Sequence, residues 1–145
     1  MDFSNSIIID RSIRDVFDYV SDLENVPRWN YAIVETKKIT DGPIGVGAIF
    51  RQVRSLPRRS EEMLQITEFE PDRRFAVHGD LGPFSGTLTY DFQDLGASTR
   101  LTNEATLEAQ GVMRLAAPIA AGRVRDAVAK NLGALKAFLE SSQSS

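Results

Sequence analysis

The segment that most constrains the fold is a long helical pattern near the C-terminal end, from Val112 to Glu140. At about 100° per residue, one stripe of this helix collects apolar and small side chains. The stripe contains Met113, Ala117, Ala120, Val124, Val128, Asn131, Leu135 and Phe138. One helix cannot bury such a stripe by itself, and most of the preceding chain has strand patterns. The sequence therefore predicts an α+β fold in which a curved sheet wraps around this helix.

Six strand-like segments follow one another between positions 31 and 108, and each ends at a turn containing Gly, Pro or Asp. They are Tyr31–Thr40, Gly47–Ser55, Ser60–Glu70, Arg73–Asp80, Phe84–Gln93 and Thr99–Glu108. A further strand at Phe3–Ile9 precedes a helix carrying Ile13 and Val20, capped by Asp10 or Ser12, and a second short helix that Pro27 ends or redirects. Short connections make neighbouring strands antiparallel. The prediction is a seven-stranded antiparallel sheet in the order β-α-α-β6-α.

Composition narrows the range of functions. The 145 residues suit one domain, residues 1–145, with a polar tail at about 141–145 that we expect to fray. There is no cysteine, and a single histidine argues against a histidine-based metal site or triad. The net charge of -3 gives no reason to expect nucleic-acid binding. No signal-peptide pattern or membrane-spanning run is present. We therefore expect a cytoplasmic protein with no metal, cofactor, nucleic-acid partner or membrane span.

Several short patterns lie at the junctions of these elements. They are Pro27-Arg28-Trp29, Gly42-Pro43 with Gly45 and Gly47, Ile66-Thr67-Glu68-Phe69-Glu70-Pro71 before Arg73-Arg74, Gly86, the Gly96 to Thr99 turn, and Leu135-Lys136-Ala137-Phe138-Leu139-Glu140. With the element order, they resemble the helix-grip fold of the START and plant-allergen-like (SRPBCC) superfamily, in particular its bacterial polyketide cyclase/dehydrase and lipid-transport branch. The resemblance implies a large internal cavity for a hydrophobic or aromatic small molecule. Members include enzymes, carriers and hormone receptors, so the fold does not set the function.

Side chains on the inner face of the sheet and on the helix stripe are the candidate ligand contacts. Alternation in the late strands separates one buried face from one wet face. The candidate ligand-binding residues are Trp29, Phe50, Leu64, Ile66, Phe75, Val77, Leu88, Tyr90, Asn103, Leu107, Ala120, Val124 and Asn131. A buried amide without a partner costs about 1–3 kcal/mol, so Asn103 and Asn131 must each meet a protein group, a water or a ligand. Trp29 is either a packing residue or one wall of the cavity.

Two residues are catalytic candidates. Tyr90 is either a core tyrosine or a hydrogen-bond donor and acid inside the cavity. Arg54 has the same strand parity as Phe50, so it could point inward and hold an acidic ligand group. His78 has the opposite parity to Val77 and is expected on the surface.

Alternate turns of an antiparallel meander lie at the same end of the sheet. Four parts of the chain should therefore meet at one end. They are the Leu56-Pro57 turn, the Leu81-Gly82-Pro83 turn, the Trp29 region and the start of the long helix. Leu115 and Ile119 add apolar surface there, which predicts a cavity mouth or a homodimer contact. The first hypothesis is a binding or carrier domain for a hydrophobic small molecule. The alternatives are a cofactor-free polyketide cyclase/dehydratase and a protein-interaction module that uses this apolar end.

Overall fold

The computed structural model describes residues 1–111 and 113–141, without the side chains of Met113 and residues 116–118. The elements are β1 (Asp2–Ile9), α1 (Ile13–Ser21), a 3-10 helix (Leu23–Arg28), β2 (Ile33–Lys38), β3 (Ile49–Arg54), β4 (Ser60–Glu70), β5 (Arg74–Leu81), β6 (Phe84–Asp94), β7 (Thr99–Ala109) and α2 (Met113–Ser141). The strands form one antiparallel sheet in the order β1-β7-β6-β5-β4-β3-β2. This architecture confirms the predicted α+β helix-grip fold.

Two side-chain caps place the helices that follow β1. The Ser12 hydroxyl accepts a hydrogen bond from the Asp15 backbone N–H at 3.3 Å, and α1 begins one residue after Ser12. The Asp22 carboxylate accepts from the Glu24 N–H at 3.1 Å and starts the 3-10 helix. Each cap satisfies a backbone donor that has no partner within its own helix. Ser12, and not Asp10, is therefore the first cap, and Pro27 lies inside the second helix, one residue before its end.

Strand β2 differs most from its prediction, which began at Tyr31. A turn occupies the preceding residues, because the Asn30 side chain accepts from the Ala32 N–H and the Asn30 carbonyl accepts from the Ile33 N–H, both at 3.1 Å. Asparagine side chains often bond to the backbone two residues ahead in this way. The strand therefore begins at Ile33, and Tyr31 lies in an exposed turn.

The packed core lies between the sheet, α1 and the C-terminal half of α2. The Phe17 ring of α1 makes edge contacts with Phe69, Phe75 and Phe92 at centroid distances of 5.4, 6.0 and 5.0 Å. Leu132, Leu135 and Leu139 of α2 are buried in the same cluster. Leu132 and Leu139 were not in the predicted stripe, although each lies one residue from a member of it.

The N-terminal half of α2 packs differently. Ala120 and Val124 contact a small second cluster formed by Phe84, Ala105 and Leu107. The predicted stripe is confirmed at Ala120, Val124, Val128, Asn131, Leu135 and Phe138, while the side chains of Met113 and Ala117 lie outside the described residues. Small residues in this half keep the helix from filling the space above the sheet. No helix among the described residues combines the length and the apolar character needed to cross a membrane.

Two paired glycines bring neighbouring strands unusually close together. Gly79 and Gly86 lie opposite each other on β5 and β6. A Cβ atom on Gly79 would lie 2.2 Å from the carbonyl oxygen of Met63, and one on Gly86 would lie 2.0 Å from that of Thr106. Gly86 also has a φ of 154°. The backbones approach at distances that only glycine permits.

Candidate ligand-binding cavity

A cavity of about 560 Å³ lies between the N-terminal half of α2 and the sheet. Its wall combines β1, the turn before β2, the end of β3, the β5–β6 hairpin, β6, β7 and one face of α2. The lining residues are Phe3, Asn30, Tyr31, Ala32, Arg54, Leu56, Pro57, Leu81, Gly82, Pro83, Phe84, Leu88, Leu107, Ile119, Ala120, Arg123, Val124, Ala127, Val128 and Asn131. Most of this wall is apolar. Its polar side chains are few, and none of the described lining residues is acidic.

The predicted meeting of turns at one end of the molecule is confirmed. Three segments line the cavity together with Ile119 of α2. They are the Leu56-Pro57 turn, the Leu81-Gly82-Pro83 turn, and Asn30–Ala32, which directly follows Trp29. Ile119 is 70% exposed and Leu56 is also exposed, so the cavity opens to solvent at this end. Topology alone was sufficient for this prediction, since each of these turns connects or precedes strands of the same meander.

The candidate ligand contacts divide into two groups. Leu88, Leu107, Ala120, Val124 and Asn131 line the cavity, and so does Arg54. The others lie in the packed interior outside this lining: Trp29, Phe50, Leu64, Ile66, Phe75, Val77, Tyr90 and Asn103. Strand alternation identifies the face of a residue but not its depth along the strand. Phe17 of α1 and the buried leucines of α2 belong to the same core cluster as the apolar members of this second group. The role of the second group as ligand contacts remains a prediction.

Tyr90 and Asn103 face each other across β6 and β7 in this interior. The Tyr90 ring stacks on Phe75 at 4.7 Å, and burial raises its pKa well above the ordinary value of 10.0. A phenol with a raised pKa is a weaker proton donor, which argues against Tyr90 as a catalytic acid. Asn103 is fully buried, and its amide oxygen and nitrogen both lack a hydrogen-bond partner among the described residues. His78 is exposed as predicted, with Nδ1 3.1 Å from the Thr87 hydroxyl.

Arg54 of the cavity wall forms a buried ion pair with Glu62, which is itself outside the described lining. Arg54 Nε donates to Glu62 Oε2 at 2.8 Å, where the side chains are 14% and 2% exposed. Oε2 also accepts from the Ser60 hydroxyl at 2.9 Å and the Gly82 N–H at 2.7 Å, and Oε1 accepts from Gln52 Nε2 at 2.9 Å. These donors come from β3, β4 and the β5–β6 hairpin. The network therefore fixes Arg54 at the point where the three elements meet the cavity.

The same network sets the ionisation of Glu62. Burial raises the pKa of this carboxyl, but the hydrogen bonds from Arg54 and Gln52, the Arg54 charge and the Gly82 N–H together outweigh burial. The pKa of Glu62 consequently lies below its ordinary value of 4.5, and the group is ionised at neutral pH. Sequence analysis did not select Glu62. Its parity with Leu64 and Ile66 was a signal that could have placed it on the inner face.

The family of the chain is shown by a match over almost its whole length. A family model described as polyketide cyclase / dehydrase and lipid transport matches residues 1–140. The chain belongs to this family. No curated protein matches the chain. Membership in the polyketide cyclase/dehydrase and lipid-transport family confirms the resemblance found in the sequence, and a solved structure of the START superfamily also matches.

Three solved structures illustrate the likeness. A START superfamily protein from Mycobacterium smegmatis superposes with a TM-score of 0.81 at 18% identity, covering 98% of this chain and 99% of that one. A protein from Thermus thermophilus gives a TM-score of 0.81 at 15% identity, with 99% and 100% covered. The di-domain ARO/CYC protein StfQ from the steffimycin biosynthetic pathway gives a TM-score of 0.79 at 16% identity, and the match covers 97% of this chain and 51% of that one. At such identities the likeness shows a shared fold.

Proposed function

We propose that this protein binds a hydrophobic or aromatic small molecule, lipid- or polyketide-like, in the cavity between the sheet and α2. The observation that carries the proposal is a cavity of about 560 Å³ with a mainly apolar wall and an opening to solvent. Small-molecule sites typically have this size, with apolar walls and a few placed polar groups. Apolar burial contributes about 25 cal/mol per Å², or about 5 kcal/mol for about 200 Å² of ligand surface before the cost of association.

Three observations favour binding without turnover rather than catalysis. The described lining residues include no histidine, aspartate or glutamate, so the wall offers no carboxylate or imidazole base. Tyr90, the sequence-based candidate acid, lies outside the lining. The family description also names lipid transport beside cyclisation and dehydration.

A cofactor-free cyclase or dehydratase is the second candidate. It is favoured by the family description and by the fold shared with an ARO/CYC protein. Such an enzyme would have to use Tyr31, Arg54 or Arg123, which are polar groups on the wall itself. Consumption of a poly-β-keto substrate analogue, followed by mass spectrometry, would identify this activity. Binding of the same analogue without its consumption would support the carrier proposal.

Filling the cavity tests the binding site directly. Ala120→Phe places a large ring on the wall, and we expect it to weaken binding of a hydrophobic probe about tenfold or more, which corresponds to about 1.4 kcal/mol. Ala129→Phe is the matched control, because Ala129 is an exposed residue of the same helix and is not in the lining. Saturable binding is measured by native mass spectrometry and by thermal shift. Equal probe affinity in the two folded variants would contradict a binding site at this cavity.

A further inference from the structure

We infer that the ligand of this cavity is an amphiphile with a single carboxylate, held at the rim between Arg54 and Arg123. The inference rests on the proposed binding function and specifies the chemical class of the ligand. It follows from the orientation of one arginine, from the charge balance of the wall and from the apolar residues that make up most of the remaining lining.

Arg54 is fixed so that one edge of its guanidinium is used and another remains available. Its Nε donates to Glu62, and Glu62 is itself held by Gln52, Ser60 and Gly82. Neither Nη1 nor Nη2 donates a hydrogen bond to any described residue of the chain, although Arg54 lines the cavity. Two parallel N–H groups of a guanidinium match the two oxygens of a carboxylate. An arginine oriented in this way is prepared to bind a carboxylate without first becoming ordered.

The charges on the wall favour one negative charge on the ligand. Glu62 neutralises Arg54, so that this pair alone would attract an anion weakly. Arg123 lines the cavity from α2, is exposed, and forms no ion pair with any residue that the structure describes. With no acidic residue in the described lining, one net positive charge remains at the rim. A monocarboxylate balances that charge, whereas an uncharged alcohol or ester does not.

The rest of the cavity suits an apolar tail. Leu88 and Leu107 of the sheet line the cavity together with Val124 and Val128 of α2, and Phe84 is also part of this wall. Arg54 also lines the cavity and is two residues before the exposed Leu56 of the Leu56-Pro57 turn, where the cavity opens. A head group at the two arginines would therefore leave the tail directed into the apolar part.

The experiment compares dodecanoate with dodecan-1-ol and methyl dodecanoate, which share one chain length and differ in head group. Dissociation constants are measured by displacement of a fluorescent hydrophobic probe from the full chain. We expect dodecanoate to bind about tenfold or more tightly than either neutral ligand, with a preference that decreases as salt is raised. Arg123→Gln should lower the preference for dodecanoate over dodecan-1-ol about tenfold. Arg125→Gln is the matched control, because Arg125 is exposed on the same helix and is not in the lining.

A second variant tests Arg54 without removing the charge that Glu62 requires. Arg54→Lys retains an ammonium beside the carboxylate but loses the guanidinium fork, so we expect weaker dodecanoate binding with little change in melting temperature. Equal affinities for the three ligands in the wild-type protein would overturn the carboxylate inference and leave the binding proposal intact. An unchanged dodecanoate affinity in both Arg123→Gln and Arg54→Lys would also overturn it. Failure of all three ligands to bind would overturn the inference, and the probe titration with Ala120→Phe then decides the binding proposal separately.

Discussion

Replacing Glu62 with leucine is expected to lower the free energy of unfolding by about 3 kcal/mol, because it leaves the Arg54 charge in the wall without its partner. The value lies at the lower end of the range for broken buried pairs, since the Arg54 side chain remains 14% exposed and reaches water through the cavity. The change also leaves the Gly82 N–H and the Ser60 hydroxyl without their acceptor. Urea unfolding measures the effect.

The neighbouring residue supplies a matched control. Glu61 is 64% exposed and pairs with Arg51 at 3.0 Å on the outer face of the same strand. Exposed pairs contribute about 0–1 kcal/mol, so Glu61→Leu should change stability little. The double variant Glu62→Leu/Arg54→Met removes both charges and should recover much of the loss. A single Glu62→Leu variant as stable as Glu61→Leu would show that this pair is not a buried structural contact.

Acid should weaken the fold through the same carboxyl. The pKa of Glu62 in the folded protein is below its ordinary value of 4.5, so its contribution to stability is present above that value. The contribution is lost as pH falls from about 4.5 through the lowered pKa. The half-buried Glu140 also has a lowered pKa, because its carboxylate accepts hydrogen bonds from the Lys136 ammonium and the Asp10 backbone N–H. We therefore expect a steeper acid-induced loss of stability in the wild type than in Glu62→Leu/Arg54→Met, which retains Glu140. Parallel stability curves over this pH range would contradict the assignment to Glu62.

The fold could be predicted from the sequence because its signals are local. Each strand ends at a residue type that forms turns, and short connections leave antiparallel pairing as the available arrangement. The predicted start of β2 at Tyr31 was wrong, because the hydrogen bonds of Asn30 form a turn within a segment of strand-like composition. A side chain that bonds to its own backbone can override composition in this way.

The site could be predicted only in part, for a different physical reason. Strand parity correctly placed Leu88 and Leu107 on the inner face, and it placed Phe75 and Val77 there as well. Only Leu88 and Leu107 line the cavity. What separates the two pairs is whether a helix residue fills the space opposite, which depends on how α1 and α2 dock. Arg123 was missed because an exposed arginine on a long helix has no distinguishing pattern in sequence. It becomes informative only when the structure places it on the same cavity wall as Arg54.

A second large effect is expected at the paired glycines of β5 and β6. Gly86→Ala should lower the free energy of unfolding by about 3 kcal/mol or more, from steric overlap and from the backbone conformation. The added Cβ would meet a backbone carbonyl oxygen at 2.0 Å, and a strand held by hydrogen bonds on both sides cannot move away without losing them. The φ of 154° also disfavours any L side chain at this position.

Gly133→Ala is the control that separates this effect from the general consequence of replacing glycine. Gly133 lies within α2, and a Cβ there would meet nothing within 4 Å. Alanine should raise stability by about 0.5–1 kcal/mol at this position, because glycine is unfavourable inside a helix. The two substitutions add the same methyl group, so thermal and urea unfolding should show shifts of opposite sign. Shifts of the same sign and size would mean that β6 and β7 do not approach as closely as the structure places them.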